Sequence, residues 1–165
     1  WGDVDLEHGT VSVRRILQRV KGELVFDEPK TRRSRRTVPL MAPVVAALKA
    51  HRARQLEERL RLGPDWQGEK WDGLVFTNEW GGPLTPDAAI WHFGQCLQRA
   101  GLPRMRVHDL RHGAASLMAA MGIPPRVAME LLGHSQISTT MNIYAHVAPE
   151  YSREAMERVS KALWG

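Results

Sequence analysis

The sequence has almost no cysteine. Cys96 is the single one among 165 residues, so no disulfide can form within the chain, and an intracellular setting is expected. Long hydrophobic runs are missing too: nothing in the sequence approaches the roughly 20 apolar residues that a membrane span requires. The opening residues, WGDVDL, are polar and acidic, without the basic start and apolar run of a secretory signal. Internal repeats and low-complexity tracts are absent, which sets aside solenoids and disordered tails. A cytoplasmic globular protein with no membrane partner is therefore expected. Residues 1–6 read as the middle of a longer chain rather than as its start.

What is there is a hydrophobic fraction of 43%, sufficient for one globular domain over residues 1–165 and too little for two. The net charge is +5 and the isoelectric point about 9.9. Of the 23 basic residues, 18 are arginine, whose planar fork of donors suits phosphate better than lysine does. Such a balance points to nucleic acid or another polyanion. The charge concentrates in KTRRSRR, which puts Lys30, Arg32, Arg33, Arg35 and Arg36 in one short segment. The plain alternative for that run is a solvated hairpin whose charges discourage edge pairing.

The apolar pattern changes along the chain. Val11 and Val13 alternate with Ser12 and Arg14, Leu24 to Phe26 form a short apolar run, and Val38 and Leu40 close a third. These predict a three-stranded antiparallel sheet, with the basic run at or near the turn between its second and third strands. From Pro43 the period becomes helical, through Val44, Leu48, Leu56 and Leu60, until Gly63-Pro64. Leu74 to Thr77 is a short extended piece, and Thr85-Pro86 caps a helix reaching Gly101. The remainder is helical: residues 107–121 with Leu110, Leu117 and Met121 as the apolar face, a shorter helix from Pro124-Pro125 to Gly133, one capped by Ser138, and an amphipathic helix from Pro149. The fold class expected is α+β, mostly α, with the small sheet packed beside a helical bundle.

Three segments hold more reactive polar side chains than a plain core needs: His108-Asp109-Leu110-Arg111-His112, Leu131-Leu132-Gly133-His134-Ser135 and Asn142-Ile143-Tyr144-Ala145-His146. His108 and Arg111, three apart, share a helix face. Two cationic groups side by side make a poor core pair unless an anion joins them, and phosphate is the natural one. A surface helix start with incidental charges is the plain alternative. A sharper rival pairs His108 with His112, four apart and next to Asp109, as in a zinc-hydrolase helix. Arg111 between the histidines and the short acid count against it. Alone, His134 reads as a histidine at a helix C-terminus and Tyr144 as a half-buried aromatic.

Together, PKTRRSRRTVPL (residues 29–40), HDLRHGAASLMAAMG (residues 108–122) and LLGHSQISTTMNIYAHV (residues 131–147) resemble the tyrosine recombinase, or phage integrase, family. The likeness runs from WGDVDL to the last helix. Lys30, His108, Arg111, His134 and Tyr144 stand, in order, where the family has its hairpin lysine, His-x-x-Arg pair, histidine after Leu-Gly and nucleophilic tyrosine. The resemblance implies the fold of that family's catalytic domain and cleavage of double-stranded DNA through a 3′-phosphotyrosine link, with no metal or other cofactor. Tyr144 would attack, Arg111 and His134 hold the phosphate, His108 accept a proton or hold the phosphate, and Lys30 protonate the leaving oxygen. Arg32, Arg33, Arg35 and Arg36 would touch the DNA backbone. The resemblance further implies a homotetramer on paired sites and association with the nucleoid.

One departure bears on activity. The family's first arginine lies on a helix just upstream of the segment that WGDVDL resembles, and an N-terminal core-binding domain usually precedes that. Neither is in this sequence. The 165-residue piece is therefore expected to be a partial catalytic domain, inactive or nearly so alone, binding DNA mainly through charge. Two other readings stay open here: a non-catalytic DNA-binding remnant, and a zinc hydrolase using His108 and His112, with or without His134.

Overall fold

The computed structural model describes residues 1–28, 35–134, 136–147 and 151–164. The chain divides into two compact units, residues 1–100 and 101–165, each taken by itself.

The first unit opens with β-structure. Strands β1 (Val4–Asp5), β2 (Thr10–Val13) and β5 (Arg36–Pro39) form an antiparallel sheet in the order β1-β2-β5, with Val11 opposite both Val4 and Val38. Ser12 and Thr37 face each other, their hydroxyls 3.0 Å apart. Strands β3 (Ile16–Val20) and β4 (Glu23–Asp27) make a separate two-stranded hairpin. Its turn, Lys21-Gly22, has φ of +49° and +92°, the positive pair that suits the right-handed twist of a two-residue hairpin. A three-stranded antiparallel sheet is thus present, but its members differ from those expected. Leu24 to Phe26 pair locally with Leu17 to Arg19, and β5 pairs with β2 instead. The reason is chain entropy: a two-residue turn closes far more cheaply than the longer return. In sequence the basic run follows β4 and reaches into β5, whose first residue is Arg36. Lys30, Arg32 and Arg33 lie outside the described residues. Arg35 is exposed and pairs with Glu28 at 2.6 Å, and Arg36 is half-buried on β5.

Helix α1 (Ala42–Leu62) carries Pro43 in its first turn and stops at Gly63, φ +54°. Its packing face is polar. The buried Gln55 amide donates to the carbonyl of Val75 at 3.1 Å and to the Thr77 hydroxyl at 3.3 Å, while Trp1 Nε1 donates to Gln55 Oε1 at 2.5 Å. His51 Nε2 donates to the carbonyl of Val75 at 2.6 Å. Residues 74–77, expected to be extended, instead bend at Val75 and Phe76 and keep only an isolated bridge between Thr77 and Pro83; their carbonyls need donors, and α1 supplies them. Leu56 and Leu60, expected on the apolar face, are exposed. Helix α2 (Pro86–Arg99) begins as its sequence predicts: the Thr85 hydroxyl accepts from the amide of Ala88 at 3.2 Å.

The second unit is helical: α3 (Val107–Ala120), α4 (Pro125–Leu132), α5 (Ile137–Val147) and α6 (Tyr151–Trp164). Helices α3, α4 and α5 pack pairwise on one another. Apart from Met129, the buried residues of their shared core are small: Ala115, Ala119, Ala128 and Thr140. Leu110, Leu117 and Met121, the apolar face expected for α3, are instead exposed. Alanines let helix backbones approach closely, so the short face wins the packing and the long side chains turn outward. Ser138 lies inside α5 rather than capping it, since the helix already begins at Ile137.

Candidate active site

Two glycines set the geometry of the second unit. Gly122 ends α3 with φ +69° and Gly133 ends α4 with φ +68°. Each makes the same pair of backbone bonds. Gly122 N–H donates to Ala119 O at 2.9 Å and Ile123 N–H to Met118 O at 3.0 Å. Gly133 N–H donates to Glu130 O at 3.2 Å and His134 N–H to Met129 O at 3.1 Å. These are Schellman closures, which need a left-handed residue after the helix and fix the one that follows. The residues so fixed are Ile123 and His134, and both meet α5. His134 Nδ1 lies 2.8 Å from the Thr140 hydroxyl, and the Tyr144 hydroxyl donates to the Ile123 carbonyl at 2.8 Å. Thr140 and Tyr144 are four apart, on one face of α5.

Arg111, half-buried on α3, donates to the carbonyl of Leu132 at the end of α4. A cation there meets the exposed carbonyls and the negative end of the helix dipole. His108 and His112 are exposed one turn apart on α3, their rings 5.0 Å apart and nearly perpendicular. Burial, followed by the positive charges of Arg111, His112 and His108, holds the His134 pKa below the ordinary imidazole value. The structure therefore brings His108, Arg111 and His134 within one electrostatic neighbourhood and adds His112 to it. Burial pushes the Tyr144 phenol above its ordinary pKa. No side chain contact joins Tyr144 to Arg111 among the described hydrogen bonds; they are linked through the two helix ends.

Asp109 serves the start of α3. Its carboxylate accepts the Arg106 amide at 2.8 Å and the Arg106 guanidinium at 2.9 Å. The Arg106 hydrogen bonds and charge hold it below the ordinary carboxylate range. An acid so engaged is not free to act as the general base that the zinc-hydrolase reading required. Among the described residues, no group of three or more His, Cys, Asp and Glu side chains is placed to hold a metal ion.

Sequence reasoning missed Thr140 and the backbone carbonyls of Ile123 and Leu132. The position of Thr140 one turn before Tyr144 was the available signal, but the run Ser138-Thr139-Thr140 reads as helix-start chemistry. Backbone carbonyls carry no residue-specific signal at all.

A tyrosine recombinase XerC-like protein of Caldanaerobacter subterraneus subsp. tengcongensis is 36% identical, over 97% of this chain and 43% of that protein. An integrase of Saccharopolyspora erythraea is 34% identical, over 90% of this chain and 33% of that protein. The chain thus spans less than half the length of these curated relatives. Among solved structures, the Tn1549 transposon integrase in complex with transposon right end DNA superposes with a TM-score of 0.76 at 26% identity, over 96% of this chain and 51% of that one. The XerA recombinase, at 22% identity and a TM-score of 0.65, covering 95% of this chain and 48% of its own, shares the fold. The model of the phage integrase family matches residues 1–151, and the chain belongs to that family.

Proposed function

We propose that this chain is the cleaving and rejoining part of a site-specific DNA recombinase, with Tyr144 as nucleophile. The observation that carries the reading is the gathering, within one helical unit, of His108 and Arg111 from the first turns of α3 around the end of α4 and His134, with Tyr144 on α5, the helix that His134 meets through Thr140.

The chemistry needs no high-energy cofactor. The Tyr144 oxygen attacks the scissile phosphorus and loses its proton. The bond from phosphorus to the 5′-oxygen breaks, and that oxygen leaves as a hydroxyl after taking up a proton. A 3′-phosphotyrosine link remains, and a 5′-hydroxyl from another strand reverses the step. Arg111 stabilises the charge that develops on the non-bridging oxygens. His134, kept neutral, donates a hydrogen bond to the phosphate, and His108 accepts the phenolic proton or donates to the phosphate. Lys30 protonates the leaving oxygen, and Arg32, Arg33, Arg35 and Arg36 hold the DNA backbone. An ordinary phenol has a pKa of about 10, and burial raises that of Tyr144 further. The phosphate, the cations around it and a proton acceptor must therefore work together in the attack.

Double-stranded DNA is the substrate in this reading, and the full-length protein works as a homotetramer on paired sites in the nucleoid. The DNA-bound integrase that the chain resembles supports the choice of substrate. The test is covalent capture of a nicked DNA site by the full-length protein. Wild type is expected to yield a protein–DNA adduct, and Tyr144→Phe none, with DNA binding retained. An adduct from Tyr144→Phe at the wild-type level would overturn the assignment.

A further inference from the structure

We propose that Thr140 is a positioning residue that fixes His134 as an Nε2–H tautomer, so that the ring meets the phosphate as a donor. The inference rests on the role given to His134 above.

Thr140 is fully buried on α5, at 0% exposure, and its Oγ1 lies 2.8 Å from His134 Nδ1. Among the described residues, that imidazole is the side-chain partner recorded for the hydroxyl. A buried hydroxyl carries a proton that needs an acceptor. A bare Nδ1 supplies one. If Nδ1 carried the proton instead, two donors would face each other across the contact, and the hydroxyl would have to turn elsewhere. Donation from Thr140 to Nδ1 leaves the single ring proton on Nε2. The partner of one imidazole nitrogen decides the state of the other, and a fixed backbone makes this partnership durable. The Schellman closure at Gly133 holds the His134 backbone, and the buried side of α5 holds Thr140.

The ring must be neutral for a tautomer to matter. Burial and the charges of Arg111, His112 and His108 on α3 favour the neutral form. Among the described residues, no carboxylate contributes to that environment.

The experiment is long-range proton–nitrogen NMR of the chain labelled at histidine nitrogen, at pH 7.5, beside cleavage assays of the full-length protein. Wild type is expected to show an unprotonated Nδ1 and a protonated Nε2 at His134. Thr140→Val, of equal shape but without the hydroxyl, is expected to shift the ring to a mixture of tautomers or to the Nδ1–H form. It should also slow cleavage at saturating DNA on the order of 10- to 100-fold, by analogy with the loss seen when the hydrogen bond orienting a metal-bound imidazole is removed. Thr140→Ser is expected to restore both. Thr140→Ala replaces Thr140→Val if the latter does not fold. A protonated Nδ1 in wild type, or an unchanged tautomer without the hydroxyl, overturns the proposal. If the tautomer responds as expected while His134→Ala cleaves normally, the positioning stands and the role of His134 in the reaction falls.

Discussion

The hydroxyl of Tyr144 donates to the main-chain carbonyl of Ile123 at 2.8 Å. The residue proposed to attack DNA is thus tied to the end of α3 by its own proton. Attack requires that proton to leave the Ile123 carbonyl, so the bond belongs to the resting state. Tyr144→Phe removes the donor and leaves the carbonyl without it. A net loss of about 1 kcal/mol is expected, a fall in Tm of roughly 2–4 °C for a chain of this size. Thermal denaturation of the 165-residue chain checks it; an unchanged or raised Tm would show that the bond contributes nothing to the fold.

Arg111 binds the end of α4 through the Leu132 carbonyl and, in the proposed reaction, the phosphate. Lysine keeps the charge but not the planar fork. Arg111→Lys is therefore expected to slow adduct formation on the order of 10²-fold or more, with little change in the salt dependence of DNA binding. Single-turnover cleavage beside a binding titration at several salt concentrations separates the two. Equal losses in both would make Arg111 an anchor for DNA rather than a stabiliser of developing charge.

The pKa of His134 makes stability depend on pH. Burial and the neighbouring cations lower it in the fold, so as pH falls the unfolded chain takes up this proton first. Stability is full above about pH 6.5, the ordinary imidazole value, and is lost as pH falls from there through the depressed folded pKa. His134→Gln is expected to flatten the decline of Tm between pH 7.5 and 5.5. Asp109, held low by Arg106, contributes stability above the ordinary carboxylate pKa of about 3.9. That contribution is lost as pH falls from there through its folded value, well below the histidine window. An identical Tm profile in His134→Gln would contradict the depressed pKa.

The packing face of α3 is open to direct test. Ala115 is fully buried, while Leu117 is 63% exposed. Ala115→Leu forces extra volume into a closed contact and is expected to cost about 1–3 kcal/mol. Leu117→Ala should change the stability of the chain by less than about 0.5 kcal/mol. Urea unfolding of both variants decides it, and the reverse ranking would mean that the large apolar residues form the core after all.

That ranking also shows where the sequence was legible. Helix starts and stops were, because Thr85-Pro86, Gly122 and Gly133 act through local backbone chemistry. The order Lys30, His108, Arg111, His134, Tyr144 is a property of the sequence itself, unusual in residue types and spacing together, and the roles proposed for these residues start from it. The buried face of α3 was not. Hydrophobicity alone favours Leu110 and Leu117, and only tertiary contact shows that Ala115 and Ala119 bring the helices together. Strand pairing was missed for a related reason: the alternation of β2 and the short apolar run of β4 say that each is a strand, not which partner it takes. Thr140 was hidden because its hydroxyl gains meaning only once the turn at Gly133 delivers His134 to it.

The central claim concerns one oxygen atom, and the chain has just two tyrosines, Tyr144 and Tyr151. Trapping the full-length protein on nicked DNA, digesting the adduct and locating the residual nucleotide by mass spectrometry tests it most directly. The nucleotide is predicted on Tyr144, joined through a 3′-phosphate, and unaffected by Tyr151→Phe. A nucleotide on Tyr151, on another residue, or joined through a 5′-phosphate would contradict the account.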